Sequence, residues 1–250
     1  MSIFKKILLS ISLISSVIFL PNSFSAETVL ITGANRGIGL ALAEQFQEAG
    51  YNVIGTARKP TKAKKLSALG VRLEQLDIAD PTSVSALAER LDGAVIDILV
   101  NNAGIGGHST DAFSDLDIEK LHKVFNVNSF GPLRVTQALL PNLDASKNKR
   151  VASISSKMGS IELNTWGCCF GYRGSKAALN SFNKVLSMEF GKQGFVFVVL
   201  HPGFVKTDMT RGRGNLTTKE SSSGLFKVIS ELKAEDNGKF YDYQGKPLPW

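Results

Sequence analysis

From Thr28 onward the chain alternates short apolar runs rich in β-branched residues with longer amphipathic segments, and this alternation leaves few folds open to it. The candidate strands are Thr28–Thr32, Asn52–Ala57, Val71–Leu76, Ile96–Val100, Arg150–Ile154, Phe195–His201 and a last short run near Phe240. Between them, Gly39–Ala49, Pro81–Leu91, Ile118–Leu139 and Ser175–Phe190 carry apolar residues at i, i+3 and i+4, the period of a one-sided helix. Strands joined through helices run parallel, and such crossovers wind right-handed. The expected fold class is therefore α/β: a single-domain, Rossmann-type, doubly wound parallel sheet with helices on both faces. Its ligand crevice should lie at the carboxyl ends of the strands. With 250 residues, 43% of them hydrophobic, the chain can bury one sizeable core, and no repeat or linker divides residues 26–250. The stretch from Lys206 to Gly224 is rich in Gly, Thr, Ser and charge without a clear period, and reads as a loop over the crevice.

The first 25 residues are of another kind. Lys5 and Lys6 precede an apolar run from Ile7 to Leu20, then Pro21 and small residues at Ser23 and Ser25, the layout of a signal peptide or N-terminal anchor. Fourteen residues are short for a membrane span, which needs about 20. Export or membrane attachment through this segment is the expectation, with a vestigial leader on a cytoplasmic protein as the alternative. The net charge of +7 comes from scattered Lys and Arg with no basic run interleaved with aromatics, so no nucleic-acid partner is expected. Cys168 and Cys169 are adjacent, where a bridge needs a strained geometry, and they imply no disulfide framework. His108, His122 and His201 are far apart and belong to no metal-binding spacing, so no metal is expected.

Directly after the first strand comes Thr32-Gly33-Ala34-Asn35-Arg36-Gly37-Ile38-Gly39, opening a helix. Glycines there allow a tight turn and a close approach of backbone amides to a pyrophosphate, while the helix N-terminus attracts negative charge. The second strand ends Gly55-Thr56-Ala57-Arg58-Lys59, without the acidic residue that holds a free ribose 2′-hydroxyl. Arg58, with Arg36 from the glycine loop, can instead pinch a 2′-phosphate. NADP(H) is the preferred cofactor on that argument, NAD(H) the alternative, and two solvated surface arginines the plain reading. Further on, Tyr172 and Lys176 are four residues apart at the start of a helix, so both project from one face. A free tyrosine, with a pKa of about 10, is a poor base near neutrality. A neighbouring ammonium and the positive nicotinamide would favour its phenolate.

The TGxxxGxG run, together with Asn101-Asn102-Ala103-Gly104, Asn128, the YRGSK of Tyr172 to Lys176, and Pro202-Gly203-Phe204-Val205-Lys206-Thr207, resembles the classical short-chain dehydrogenase/reductase family from Thr28 to the last residue. Tyr172–Asn180 and the ending from Asn237 are similar to its carbonyl-reductase-like branch, which includes C-factor and sniffer proteins. The resemblance implies that Gly33, Asn35, Arg36, Gly37, Ile38, Gly39, Arg58, Asp77, Ile78, Asn101, Asn102, Ala103, Gly104, Tyr172, Lys176, Pro202, Gly203, Val205 and Thr207 hold the dinucleotide. It implies a catalytic set of Asn128, Ser156, Tyr172 and Lys176. Ser156 stands 16 residues before Tyr172, about three more than is common in the family, so Ser155 is the alternative hydroxyl. Asn128 would hold a kink and relay protons from Lys176.

The expected reaction is hydride transfer between a nicotinamide and a carbonyl or alcohol, with Tyr172 as acid/base. A non-catalytic dinucleotide-binding signalling protein of the C-factor type is the alternative from another class. A sugar-nucleotide epimerase would show TGxxGxxG and a substantial C-terminal domain, and neither is present. Ile105, Ile161, Leu163, Trp166, Phe170, Phe204 and Met209 are candidate pocket walls, suggesting an apolar carbonyl substrate. A homo-oligomer pairing through helices such as Ile118–Leu139 and Ser175–Phe190 is expected on the same resemblance.

Overall fold

A computed structural model of the protein describes residues 26–106 and 113–250, and the leader reading of residues 1–25 and His108 lie outside the described residues. Seven parallel strands form one sheet in the order β3-β2-β1-β4-β5-β6-β7. They are β1 (Thr28–Ile31), β2 (Asn52–Ala57), β3 (Arg72–Gln75), β4 (Ile98–Asn101), β5 (Arg150–Ile154), β6 (Val196–His201) and β7 (Lys239–Asp242). The helices are α1 (Gly37–Glu48), α2 (Lys64–Ala68), α3 (Pro81–Arg90), α4 (Ile118–Phe125), α5 (Gly131–Ala138), α6 (Leu140–Asp144), α7 (Phe170–Phe190) and α8 (Thr218–Ser230). This is the doubly wound α/β architecture that the alternation predicts.

Each central strand feeds two cores. In β1, Val29 and Ile31 pack with Leu42 and Phe46 of α1 and with Leu225 and Ile229 of α8. Leu30, pointing to the other face, joins Val84 and Leu87 of α3, Val135 of α5 and Phe197 of β6. A strand covered on both faces is apolar throughout, which is why β1, β4, β5 and β6 read as runs rather than as alternating patterns. The strand order reverses at β1, whose register with β2 (Val29 opposite Val53) and with β4 (Val29 opposite Ile98) sends the two following loops apart. A crevice opens there, at the strands' carboxyl ends.

Three departures from the sequence reading have local causes. The helix expected over Ile118–Leu139 is two helices separated by a π-helical turn, Asn126–Phe130. Pro132 has no N–H to give and its ring crowds the carbonyl four residues back, that of Asn128, so the ladder must widen. Helix α7 starts at Phe170 rather than Ser175. Gly171 and Gly174 hide that start from a propensity reading, yet both face α4 closely: a Cβ on Gly171 would lie 2.8 Å from Leu121 and one on Gly174 2.9 Å from Phe125. Finally, Thr218–Gly224 belongs to α8 rather than to a loop, because Thr217 and Glu220 form a reciprocal capping box at its start. The loop over the crevice thus ends at about Thr217.

Cys168 and Cys169 are joined to each other, and both have positive φ, 145° and 59°. The sequence reading had drawn no bridge from them. The bond spans one peptide unit and ties no distant parts of the fold together. Among the described residues, no helix is long and apolar enough to cross a membrane.

Candidate active site

The crevice is a cleft of about 880 Å³, within the size range of small-molecule sites. Its floor is the glycine loop. Thr32 organises this corner: its hydroxyl accepts from the amides of Asn102 and Ala103, both at 3.0 Å, while the Asn102 side-chain amide donates to the carbonyl of Thr32 at 2.9 Å. Two strand ends are thereby tied together beneath the loop. Gly39 is required by space, since a Cβ there would lie 2.5 Å from the Gly33 carbonyl oxygen and collide with the Asn102 amide. Gly33 has φ 65° and runs against the Ala103 backbone. Gly37, Ile38 and Gly39, at the head of α1, line the cleft, and the helix has no side-chain cap there.

Of the residues expected to hold a dinucleotide, Gly33, Asn35, Arg36, Gly37, Ile38, Gly39, Arg58, Asp77, Ile78, Asn102, Ala103, Gly104, Tyr172, Lys176, Pro202 and Thr207 line this cleft. Asn101, Gly203 and Val205 are not on its wall. Asn101 is buried and donates to Thr136 at 3.0 Å, and Val205 is buried in the core. Gly203 has φ 82° and makes the turn that lets Pro202 reach the cleft. These three support the wall from behind.

The residues expected to react, Ser156, Tyr172 and Lys176, come together where β5 and α7 meet. The Tyr172 and Ser156 side chains are hydrogen-bonded. Ser155 is turned the other way, donating to Asn180 at 2.7 Å from a fully buried position. Geometry therefore puts Ser156, not Ser155, beside the phenol. The longer spacing is taken up by a single 3₁₀ turn, Lys157–Gly159, capped by the Ser156 hydroxyl itself, and by the exposed loop that follows. Lys176 Nζ lies 5.9 Å from the Tyr172 ring centre and donates to the Ile154 carbonyl at 2.8 Å. Burial brings its pKa down to about 8. Burial also pushes the Tyr172 phenol above its ordinary value, with the Ser156 hydrogen bond opposing. Lys176 thus sits over the Tyr172 ring with one of its N–H groups engaged by the Ile154 carbonyl. Asn128, wholly buried in the π-helical turn, accepts from the Ile105 amide at 2.9 Å. It donates to the Ile105 carbonyl at 3.0 Å and to Ser175 Oγ at 3.1 Å. The widened turn made by Pro132 thus positions Asn128 between the β4 loop and α7.

At the other end, Arg36, Arg58 and Lys65 face the cleft. Lys65 escaped the sequence reading, although the basic run after β2 was its signal. The reading also placed no carboxylate near the arginines. The structure brings one: Asp208, from the covering loop, accepts from Arg36 at 2.6 Å, both side chains being largely exposed. Of the candidate pocket walls, Ile105 and Met209 line the cleft. Ile161, Leu163, Trp166 and Phe204, on loops, and Phe170, the first residue of α7, are exposed and do not line it. Among the described residues there is no cluster of metal ligands.

Residues 27–217 match the short chain dehydrogenase family. The chain belongs to that family. It is an NAD(P)-dependent short-chain dehydrogenase/reductase acting on CH–OH or C=O groups, and its relatives fall on the carbonyl-reductase side. The C-signal protein of Myxococcus xanthus is 42% identical over 165 residues, 66% of this chain and 99% of that protein. An NADPH-bound carbonyl reductase from chicken fatty liver superposes with a TM-score of 0.83 at 34% identity, covering 90% of this chain and 94% of the other. The carbonyl reductase Sniffer of D. melanogaster gives 0.85 at 30% identity, covering 90% and 100%.

Proposed function

We propose that this oxidoreductase is an NADP(H)-dependent reductase of apolar aldehydes, ketones or quinones with Tyr172 as its acid. The observation that carries the reading is the Ser156 hydrogen bond to Tyr172, with Tyr172 and Lys176 lining the same cleft as Arg36, Arg58 and Lys65. The cleft residues fit a phosphorylated dinucleotide. The head of α1, without a side-chain cap, suits the pyrophosphate, and the three cations suit a 2′-phosphate. When bound, the nicotinamide supplies the hydride.

The rest falls to this chain's own side chains. A phenol raised by burial is fully protonated near neutrality, so Tyr172 begins as the proton donor to a carbonyl oxygen. Ser156 gives that oxygen a second hydrogen bond, the role of a preorganised donor. Lys176, with a pKa of about 8, loses and regains a proton in the working range and can restore the tyrosine. Asn128 fixes the backbone of Ile105 and the hydroxyl of Ser175 around it. Assembly into a homo-oligomer through the outer helical faces, where Ile118, Phe130, Val185 and Met188 are exposed, is part of the same proposal.

A screen of carbonyl compounds followed by NADPH absorbance tests the substrate class. Tyr172→Phe should lower turnover by about two orders of magnitude or more while NADPH still binds. Near-normal turnover in that variant overturns the mechanism. The identity with C-signal favours one second reading, a signalling role carried by dinucleotide binding. NADPH binding without turnover of any carbonyl in the screen would support it.

A further inference from the structure

The chain's two cysteines are bonded to each other three residues ahead of Tyr172, and nothing in the proposed mechanism uses them. Stabilisation by a disulfide grows with the length of loop it closes, and this one closes almost none. Its effect is therefore local. Cys169 is buried and caps α7, its carbonyl accepting the first backbone bond of the helix from Arg173 at 2.9 Å. Cys168 is half-buried, at the end of a loop exposed from Ile161 to Gly167.

Gly167, Cys168 and Cys169 have φ of 46°, 145° and 59° in succession. Left-handed backbone at two consecutive L residues is unfavourable and persists only where something imposes it. The bond between the sulfurs spans these same two residues. On either side stand two exposed aromatics. Trp166 stacks on the Arg173 guanidinium at 5.0 Å, and Phe170 opens the helix turn that carries Tyr172.

We propose that Cys168 and Cys169 form a reversible two-electron redox site that sets the conformation of the Trp166–Phe170 rim beside the Tyr172 entrance. The oxidised pair holds the α7 cap in its present form. A dithiol reductant breaks it: one reductant thiolate attacks a cysteine sulfur, the S–S bond breaks, and the second reductant thiol displaces the mixed disulfide. Two electrons and two protons pass to the protein, leaving two thiols here and one disulfide in the reductant. A small disulfide such as oxidised glutathione reverses the exchange. The leader-like residues 1–25 would take the chain to a compartment where such a bond persists. The entrance assignment rests on the acid role proposed for Tyr172, but the redox site itself does not.

The test uses the full purified chain, oxidised with glutathione disulfide or reduced with dithiothreitol. Alkylation and intact mass count free thiols, hydrogen exchange by mass spectrometry reads residues 160–180, and menadione serves as carbonyl probe. Expected are no alkylated thiols in the oxidised form and two after reduction. Exchange around Arg173 should quicken by about tenfold on reduction, with residues 33–39 unchanged. The KM for menadione should shift by about fivefold, which corresponds to ~1 kcal/mol, while the Kd for NADPH stays constant. Cys169→Ser, which keeps a single thiol, should match the reduced form in exchange and in KM under both conditions. Two free thiols after oxidation, identical exchange in both forms, or an unmoved KM overturns the proposal. Absence of menadione turnover in either form counts against the carbonyl reading alone, because thiol count and exchange still decide the redox site.

Discussion

Replacing Asp208 with Asn separates the two partners competing for Arg36. In the structure the Arg36 guanidinium is held by Asp208 at 2.6 Å, with side chains 65% and 76% exposed. A 2′-phosphate entering beside Arg58 and Lys65 has to take the guanidinium from that carboxylate. An exposed ion pair is worth about 0.2–1 kcal/mol, so its removal should tighten NADPH binding by about 1.4- to 5-fold. NADH lacks the 2′-phosphate and has no claim on Arg36, so its Kd should stay where it is. Both constants follow from nucleotide fluorescence titrations of wild type and Asp208→Asn at low salt. Near 1 M salt, where the Debye length is about 3 Å, the gain should largely vanish. Equal shifts for NADPH and NADH would mean that Asp208 acts by holding the covering loop. An unchanged or weaker Kd for NADPH would refute the competition outright.

Other consequences follow from the same geometry. Wild type should favour NADPH over NADH by about tenfold or more in kcat/KM, and Arg58→Asp should reverse this, since the new carboxylate repels a 2′-phosphate and accepts from a 2′-hydroxyl; equal kcat/KM for both cofactors in wild type would reduce Arg58 to a surface charge. Gly39→Ala pushes a methyl into the Gly33 carbonyl and the Asn102 amide, an overpacking of about 1–3 kcal/mol, and should weaken binding of either cofactor by about fivefold or more in the same titrations. Lys176 has its pKa lowered by burial from 10.5 to about 8, so between those values the unfolded chain binds a proton that the native state does not. Its contribution therefore makes stability rise with pH from about 8 to about 10.5. Urea midpoints across that window should diverge between wild type and Lys176→Met, and parallel curves would show that the lysine is not buried as described.

Much of this was readable before any coordinates, for physical reasons that differ by element. Strands β2 and β5 match their expected limits because each is a continuous buried run ended by a sharp change in composition. Helical spacing puts Tyr172 and Lys176 on one face, but their expected part in the chemistry came from the resemblance carried by YRGSK and the other motifs. What escaped depends on contacts between distant segments. The Arg36–Asp208 pair joins residues 172 apart, and no local pattern announces it. Gly171 and Gly174 look like helix breakers until α4 is laid against them. The capping box at Thr217 and Glu220 was a missed local signal, outweighed by the glycines and serines around it. The choice between Ser155 and Ser156 needed the facing Asn180.

The central position of β1 sets a timetable for synthesis. As the chain leaves the ribosome, Val29 meets Val53 early, but its other neighbour, Ile98, is about 70 residues from it along the chain. At about 5–20 residues per second that partner trails by roughly 4–14 s, during which one edge of β1 is unpaired. β1 thus keeps one edge open until β4 is made, and β4, β5 and β6 each wait in turn for the strand that follows.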